Sequence, residues 1–194
     1  MKTVFFDVDT QIDFLYPAGA LYVPGAETIV DRLATLNRWA ASQAIPVIST
    51  ADAHTEDDPE FRTWPPHCVN GTAGQHKPSA TLLEKRMTIP NTPGLPEFDA
   101  AQQFVIEKQT FDCFTNVHLA ALLKHLGAER YVVYGVVTEI CVQFAAMGLL
   151  KTGARVEIAT DAIRSLSDAN RDKFFAEFTA AGGVLTTSAV AMAC

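Results

Sequence analysis

The sequence is short of basic charge, of paired cysteines and of long apolar runs. Lys and Arg number 15 against 22 Asp and Glu, a net charge of −7. That balance disfavours a broad phosphate-binding surface, so nucleic acid is not expected as a partner. The four cysteines (Cys68, Cys113, Cys141 and Cys194) are scattered and form no C-x-x-C pair. Such spacing fits reduced thiols in a cytoplasmic protein rather than a disulfide frame. Met1-Lys2-Thr3 runs straight into VFFDVD, without the basic-then-apolar order of a secretory signal. The uncharged stretch Phe178–Cys194 is interrupted by Gly182-Gly183 and by Thr186-Thr187-Ser188. It falls short of the roughly 20 apolar residues of a membrane span and reads as a helix end, a turn and a final buried strand. No internal repeat or low-complexity tract is evident, and the partner these absences leave is a small molecule.

What is present is enough apolar residue, 48% of 194, to build a core, and the length suits one domain spanning residues 1–194. Short runs rich in Val, Ile and Phe predict buried strands at Thr3–Val8, Ile45–Thr50, Gln103–Glu107, Tyr131–Val136, Arg155–Thr160 and Gly183–Thr187. Helical spacing separates most of them: Ile29, Leu33, Leu36 and Ala40; Leu119, Leu122, Leu123 and Leu126; then Glu139 to about Thr152 and Asp168 to about Ala181. Ser165-x-x-Asp168 resembles a capping box, and Gly182 supplies a C-terminal stop. The alternation predicts a three-layer α/β/α sandwich around a mainly parallel, six-stranded, Rossmann-like sheet. The exception is an irregular segment at about 51–101, which holds most of the chain's prolines, Phe61, Trp64 and His54, His67 and His76. Long irregular segments inside a domain are usually functional or disordered, and this composition favours an active-site loop.

Open parallel sheets bind ligands beyond the carboxyl ends of their strands. There the chain places Asp9-Thr10-Gln11-Ile12-Asp13-Phe14, Asp52-Ala53-His54, Glu107-Lys108, and Val137-Thr138-Glu139-Ile140-Cys141. Cys141 falls in the first turn of a predicted helix capped by Thr138. Amides there favour a thiolate and could hold an oxyanion. Taken alone, Cys141 reads rather as a small apolar residue packing a helix onto the sheet. Lys108 alone could be a solvated strand-end lysine, and Asp9 a turn former. Together they form a nucleophile, cation and acid/base set. Asp52-x-His54 puts two metal-ligating groups on one side of an extended segment, with His67 and Glu60 nearby. That chemistry suits Zn²⁺ first, with Mn²⁺ or Fe²⁺ as alternatives, or else ordinary loop hydrogen bonds. Cys113 and Cys194 read as packing residues, and His76, His118 and His125 as surface or packing histidines.

DTQIDF, the Glu107-Lys108 pair followed by FDCF, GVVTEICV and ATDAIRSL resemble the signatures of the isochorismatase-like cysteine hydrolases over essentially the whole chain. The resemblance implies an Asp9–Lys108–Cys141 triad that attacks an amide through a thioester, with Asp13 structural. It also implies a cis peptide at Val137–Thr138, with the amides of Thr138 and Cys141 forming an oxyanion hole. DAH followed by WPPHCVNGTAG is similar to the nicotinamidase branch. That likeness implies Asp52, His54 and His67 as metal ligands with Glu60 as a fourth, Phe14 and Trp64 around a flat ring, and Ile140 beside the substrate. TEDDPEF after His54 and Ile140 before the nucleophile depart from the common nicotinamidase pattern. The expected activity is metal-assisted deamidation of nicotinamide or a close heteroaromatic amide. The alternatives are a family amidohydrolase for carbamoyl or ureido compounds and a non-catalytic small-molecule binder. Family likeness also implies a homo-oligomer, a dimer or tetramer.

Overall fold

The computed structural model describes residues 1–94, 96–98 and 101–193, so the expectation for Cys194 lies outside the described residues. Its elements in chain order are β1 Thr3–Val8, α1 Ile12–Leu15, α2 Val30–Ser42, β2 Val47–Asp52, β3 Arg86–Ile89, β4 Gln103–Lys108, α3 Leu119–Leu126, β5 Arg130–Val136, α4 Gln143–Leu150, β6 Arg155–Arg164, α5 Asp168–Ala180, β7 Val184–Thr186 and α6 Ser188–Met192. The strands form one sheet in the order β3-β4-β2-β1-β5-β6-β7, and every pairing is parallel. The α/β expectation holds, but the sheet has seven strands rather than six. The added strand, β3, lies inside the proline-rich segment and has one buried residue, Ile89, so it carries no apolar run to be read. It joins the edge through backbone pairing with β4, from Arg86 opposite Gln103 to Ile89 opposite Ile106.

Strands β1 and β5 are buried on both faces, which is why their sequences read as continuous apolar runs. From β1 the chain moves by α2 toward β2, and from β5 it moves by α4 toward β6, on the other side of β1. Right-handed crossovers taken in opposite directions put α2 and α4 on opposite faces, giving the three layers. On one face α2 meets β1, β2 and α6, and on the other α4 meets β5, β6 and α5. The reversal of direction makes the carboxyl ends of β2, β1 and β5 the switch point of the sheet, where an open α/β fold places its crevice.

Three local expectations are corrected. Helix α5 is capped by Ser167, whose hydroxyl accepts from the Asn170 N–H at 3.3 Å, so Ser165-x-x-Asp168 is not the cap. Strand β7 is half-exposed rather than buried, because it is the edge of the sheet, and α6 follows it. The non-proline cis bond is Val136–Val137, not Val137–Thr138. Strand β5 runs to Val136 and a π-helical turn begins at Thr138, so the change of direction falls one residue earlier than expected.

Two close approaches pin the end of β1 and the segment after it, one from Gly135 on β5 and one from Gly74 in the proline-rich segment. A side chain on Gly135 (φ 119°) would collide with the Val8 carbonyl oxygen at 2.1 Å, and one on Gly74 would meet the Asp13 carboxylate at 2.2 Å. At the opposite end of the sheet, Arg130 is buried against Glu157, with Nε–Oε1 at 3.1 Å and Nη2–Oε2 at 2.8 Å. Burial alone would raise the Glu157 carboxyl, but hydrogen bonds from Arg130 and Arg155 outweigh it and hold the group below its ordinary value.

Removing that carboxylate strands a buried guanidinium. Glu157→Ala is expected to lose about 3–5 kcal/mol in urea unfolding. Because the folded-state carboxyl is held low, its contribution is present above the unfolded value. It is lost as pH falls through the folded one, so the wild type and Glu157→Ala should converge in stability under acid. An unchanged urea midpoint in the variant at neutral pH would contradict this role.

Candidate active site

Four strand ends deliver the chemistry. Parallel register sets Asp52, the last residue of β2, beside Lys108, the last of β4. Asp9 leaves β1 with φ 48°, a left-handed conformation that Asp tolerates better than most residues. Its N–H donates to Thr50 Oγ1 at 3.1 Å, and the Thr50 hydroxyl donates to Asp9 Oδ1 at 2.6 Å. Cys141 comes from the π-helical turn Thr138–Val142 after β5.

The ammonium of Lys108 joins these groups. Its Nζ lies 2.9 Å from Asp9 Oδ2 and 3.9 Å from Cys141 Sγ, and it donates a short hydrogen bond to Asp52 Oδ1. All four residues are buried. The structure therefore brings the expected triad together and adds Asp52 to it. Burial pushes the Cys141 thiol well up; Lys108 pulls it down, but Asp9 and Asp52 add to the rise. The thiolate expected from a helix start gains no support from this balance, which raises the thiol rather than lowering it. Burial likewise raises Asp9 despite Lys108. For Asp52 the balance tips the other way, because Lys108 and His54 overcome burial and hold it ionised.

Asp52 faces a second cluster through its other oxygen. Ligand atoms of Asp52, His54 and His67 lie within 4.8 Å of one another. His54 Nε2 and His67 Nε2 are each 3.9 Å from Asp52 Oδ2, and His67 Nε2 is 3.8 Å from Glu60 Oε1. Of the outer nitrogens, His67 Nδ1 lies 2.8 Å from the Pro65 carbonyl, and His54 Nδ1 lies 3.0 Å from Asp58 Oδ2, at ion-pair distance but without a hydrogen bond. Such outer partners orient imidazoles that ligate metals. His54 Nε2 is buried and has no hydrogen-bond partner among the described residues. Two imidazoles and a carboxylate around an orphaned nitrogen fit a divalent cation. Burial lowers His67, favouring its neutral form. Burial also acts to lower His54, but the Asp52 and Asp58 carboxylates outweigh it and carry it to about 9.

Gln11 and Asp13 hold this arrangement. Gln11 Nε2 donates to the carbonyls of Asp52 and Gln75, at 2.8 and 2.7 Å, while its Oε1 accepts from the Asp52 N–H at 2.6 Å. Asp13 accepts from the N–H groups of Ala20 and Cys68, at 2.9 and 2.7 Å, and so fixes the residue after His67. Sequence reasoning singled out neither Thr50 nor Gln11. The only available signal for Gln11 was its place between the two aspartates of DTQIDF.

A cavity of about 110 Å³ opens over Cys141 and Asp9. The expected Phe14, Trp64 and Ile140 line it, together with Leu21, Tyr22, Val23, Phe111 and Leu166, which the sequence did not reveal. Val137 and Cys141 border the cavity, but Thr138 does not; it is buried, and its hydroxyl donates to the Arg164 carbonyl at 2.8 Å. Of the expected oxyanion pair, Cys141 therefore borders the cavity and Thr138 does not. A larger open groove of about 800 Å³ between α3 and α4 carries no comparable cluster of titratable groups. Among the described residues, no helix is long and apolar enough to cross a membrane.

Comparison with known proteins agrees with this geometry. The isochorismatase domain family matches residues 3–190. Nicotinamidase from Escherichia coli (strain K12) is 26% identical over 207 aligned positions, covering 94% of this chain and 93% of the relative. The pyrazinamidase of Pyrococcus horikoshii, solved in complex with zinc, superposes with a TM-score of 0.80 at 26% identity, covering 96% of this chain and 99% of that one. PnC1 from L. infantum, solved in complex with nicotinate, superposes with a TM-score of 0.76 at 31% identity, covering 96% and 93%.

Metal titration tests the second cluster. Zinc added to metal-free protein is expected to raise the melting temperature, and His54→Ala to remove that rise. Since His54 titrates at about 9 without metal, binding near neutral pH should release about one proton and weaken as pH falls. Calorimetry in buffers of different ionisation enthalpy reads that release; a buffer-independent heat would contradict the assignment of His54.

Proposed function

Because the chain belongs to the isochorismatase family, in its nicotinamidase-like branch, we propose that its cavity hydrolyses nicotinamide or a close heteroaromatic amide to the acid and ammonia. One observation carries the reading: a single buried ammonium, Lys108, touches Asp9, Asp52 and Cys141 at the floor of a small cavity walled by Phe14, Trp64 and Phe111. Apolar walls with a few convergent polar groups suit a flat ring bearing one reactive carboxamide.

In this reading Asp9 takes the proton from Cys141, and the sulfur attacks the carboxamide carbon to give a tetrahedral oxyanion. The amides of Val137 and Cys141 stabilise that oxyanion. Asp9 then passes the proton to the departing nitrogen, the C–N bond breaks, and ammonia leaves a thioester on Cys141. Asp9 next accepts a proton from water. The resulting hydroxide attacks the thioester carbon, the C–S bond breaks, and sulfur recovers its proton from Asp9. Throughout, Lys108 holds Asp9 in reach of sulfur and offsets the negative charge that develops there. Burial and the flanking carboxylates raise the Cys141 thiol, so a base is needed at the moment of attack.

Asp52, His54 and His67 would hold the divalent cation, zinc by preference, with Glu60 as a further ligand. When bound, the cation supplies a Lewis-acid anchor for a ring nitrogen and so orients the amide over Cys141. Phe14, Trp64 and Ile140 enclose the ring. The chain is read as one cytoplasmic domain that assembles as a homo-oligomer.

Ammonia release from nicotinamide by zinc-loaded protein tests the proposal, beside Cys141→Ala. Turnover in the wild type and at least a ~10³-fold loss in the variant are expected. Chelation should raise KM on nicotinamide while leaving the alkylation rate of Cys141 within about twofold, since orientation and nucleophile chemistry belong to different residues. An inert wild type that instead releases ammonia from carbamoyl or ureido compounds would replace the substrate assignment. Undiminished turnover in Cys141→Ala would overturn the mechanism.

A further inference from the structure

Thr50 is fully buried on β2 and does not border the cavity, yet it grips the residue assigned as the base at two points. We propose that Thr50 is the positioning residue of the reaction: its hydroxyl locks the Asp9 carboxylate so that Oδ2, rather than Oδ1, is the oxygen that receives the proton of Cys141. This inference rests on the role assigned to Asp9 under the proposed function.

A hydroxyl has one hydrogen to give and can accept in return. Thr50 gives its hydrogen to Asp9 Oδ1 at 2.6 Å and accepts the N–H of the same residue at 3.1 Å. The clasp therefore fixes the backbone of Asp9, at φ 48°, and the rotation of its carboxylate together. With Oδ1 already receiving a hydrogen, the oxygen left toward the reacting groups is Oδ2, 2.9 Å from Lys108 Nζ. Proton transfer is then simple to balance. The S–H bond of Cys141 breaks with its electron pair remaining on sulfur, an O–H bond forms at Asp9 Oδ2, and no further reactant is needed. Thr50 is well placed to be rigid, because β-branching restricts its rotamers and β2 is hydrogen-bonded between β1 and β4. It thereby carries the position of the sheet into the loop that bears the base.

The test compares Thr50→Val, which keeps the shape and removes the hydroxyl, with Thr50→Ser, which keeps the hydroxyl. Two quantities are read: the rate at which iodoacetamide labels Cys141, followed by peptide mass, and kcat against KM on nicotinamide. Loss of a hydrogen bond to a charged group should lower labelling and kcat about 10- to 100-fold in Thr50→Val, with KM within about twofold. Thr50→Ser should stay within about threefold of wild type on both. In an Asp9→Asn background, Thr50→Val should change labelling no further, because its effect acts through that carboxylate.

The proposal is overturned if Thr50→Val labels and turns over within about twofold of wild type, or if Thr50→Ser is as impaired as Thr50→Val. It is equally overturned if the valine variant slows labelling by the same factor when Asp9 is already Asn. Thr50→Ala reads the same outcomes should the valine variant not fold. Labelling needs no substrate, so a wrong substrate assignment would show as an inert wild type while the labelling comparison still decides the role of Thr50.

Discussion

The buried ammonium of Lys108 is the interaction on which the site depends. An unpaired charge at such depth would be strongly destabilising, so the fold must bring it anions. Asp52 is supplied by the neighbouring strand at the same register level, and Asp9 by the next strand over. The strand order β4-β2-β1-β5 then places Cys141 on the far side of the same charge. Asp52 divides its carboxylate between two tasks. One oxygen pairs with Lys108 and the other faces His54 and His67, so the Cys141 cluster and the candidate metal-ligating cluster share a residue.

That sharing explains why so many polar residues around the site are engaged. Gln11 holds the Asp52 backbone through both its N–H and its carbonyl, Asp13 fixes the loop that carries His67, and Thr50 clasps Asp9. A displacement of any of these supports would disturb a charge balance that burial makes steep. Burial, Asp9 and Asp52 together outweigh Lys108 and raise the Cys141 thiol well above its ordinary value.

Much of this arrangement was legible in the sequence because it rests on strong, local signals. Strands β1 and β5 are buried on both faces and read as unbroken apolar runs. The titratable residues Asp9, Asp52, Lys108 and Cys141 stand at the ends of such runs. By contrast, β3 has one buried residue out of four and joins the sheet by backbone pairing with β4, which leaves no apolar run to read. Thr50 and Gln11 were missed because their importance comes from partners about 40 positions away in sequence. A neutral hydroxyl or amide also carries no charge to draw attention. The bond Val136–Val137 was displaced by one residue because a family resemblance assigns a motif, whereas the end of β5 and the start of the π-helical turn assign the atom. Walls such as Tyr22, Phe111 and Leu166 come from separate loops that meet only in the fold.

The central claim is that Cys141 becomes covalently acylated with Asp9 and Lys108 as its supports. Hydroxylamine present during turnover of nicotinamide tests this directly, because it competes with water for a thioester but not for a product formed in one step. The account predicts that hydroxamate replaces a growing share of the free acid as hydroxylamine increases, with ammonia release unslowed. Formation of the free acid alone at every hydroxylamine concentration would contradict a thioester on Cys141.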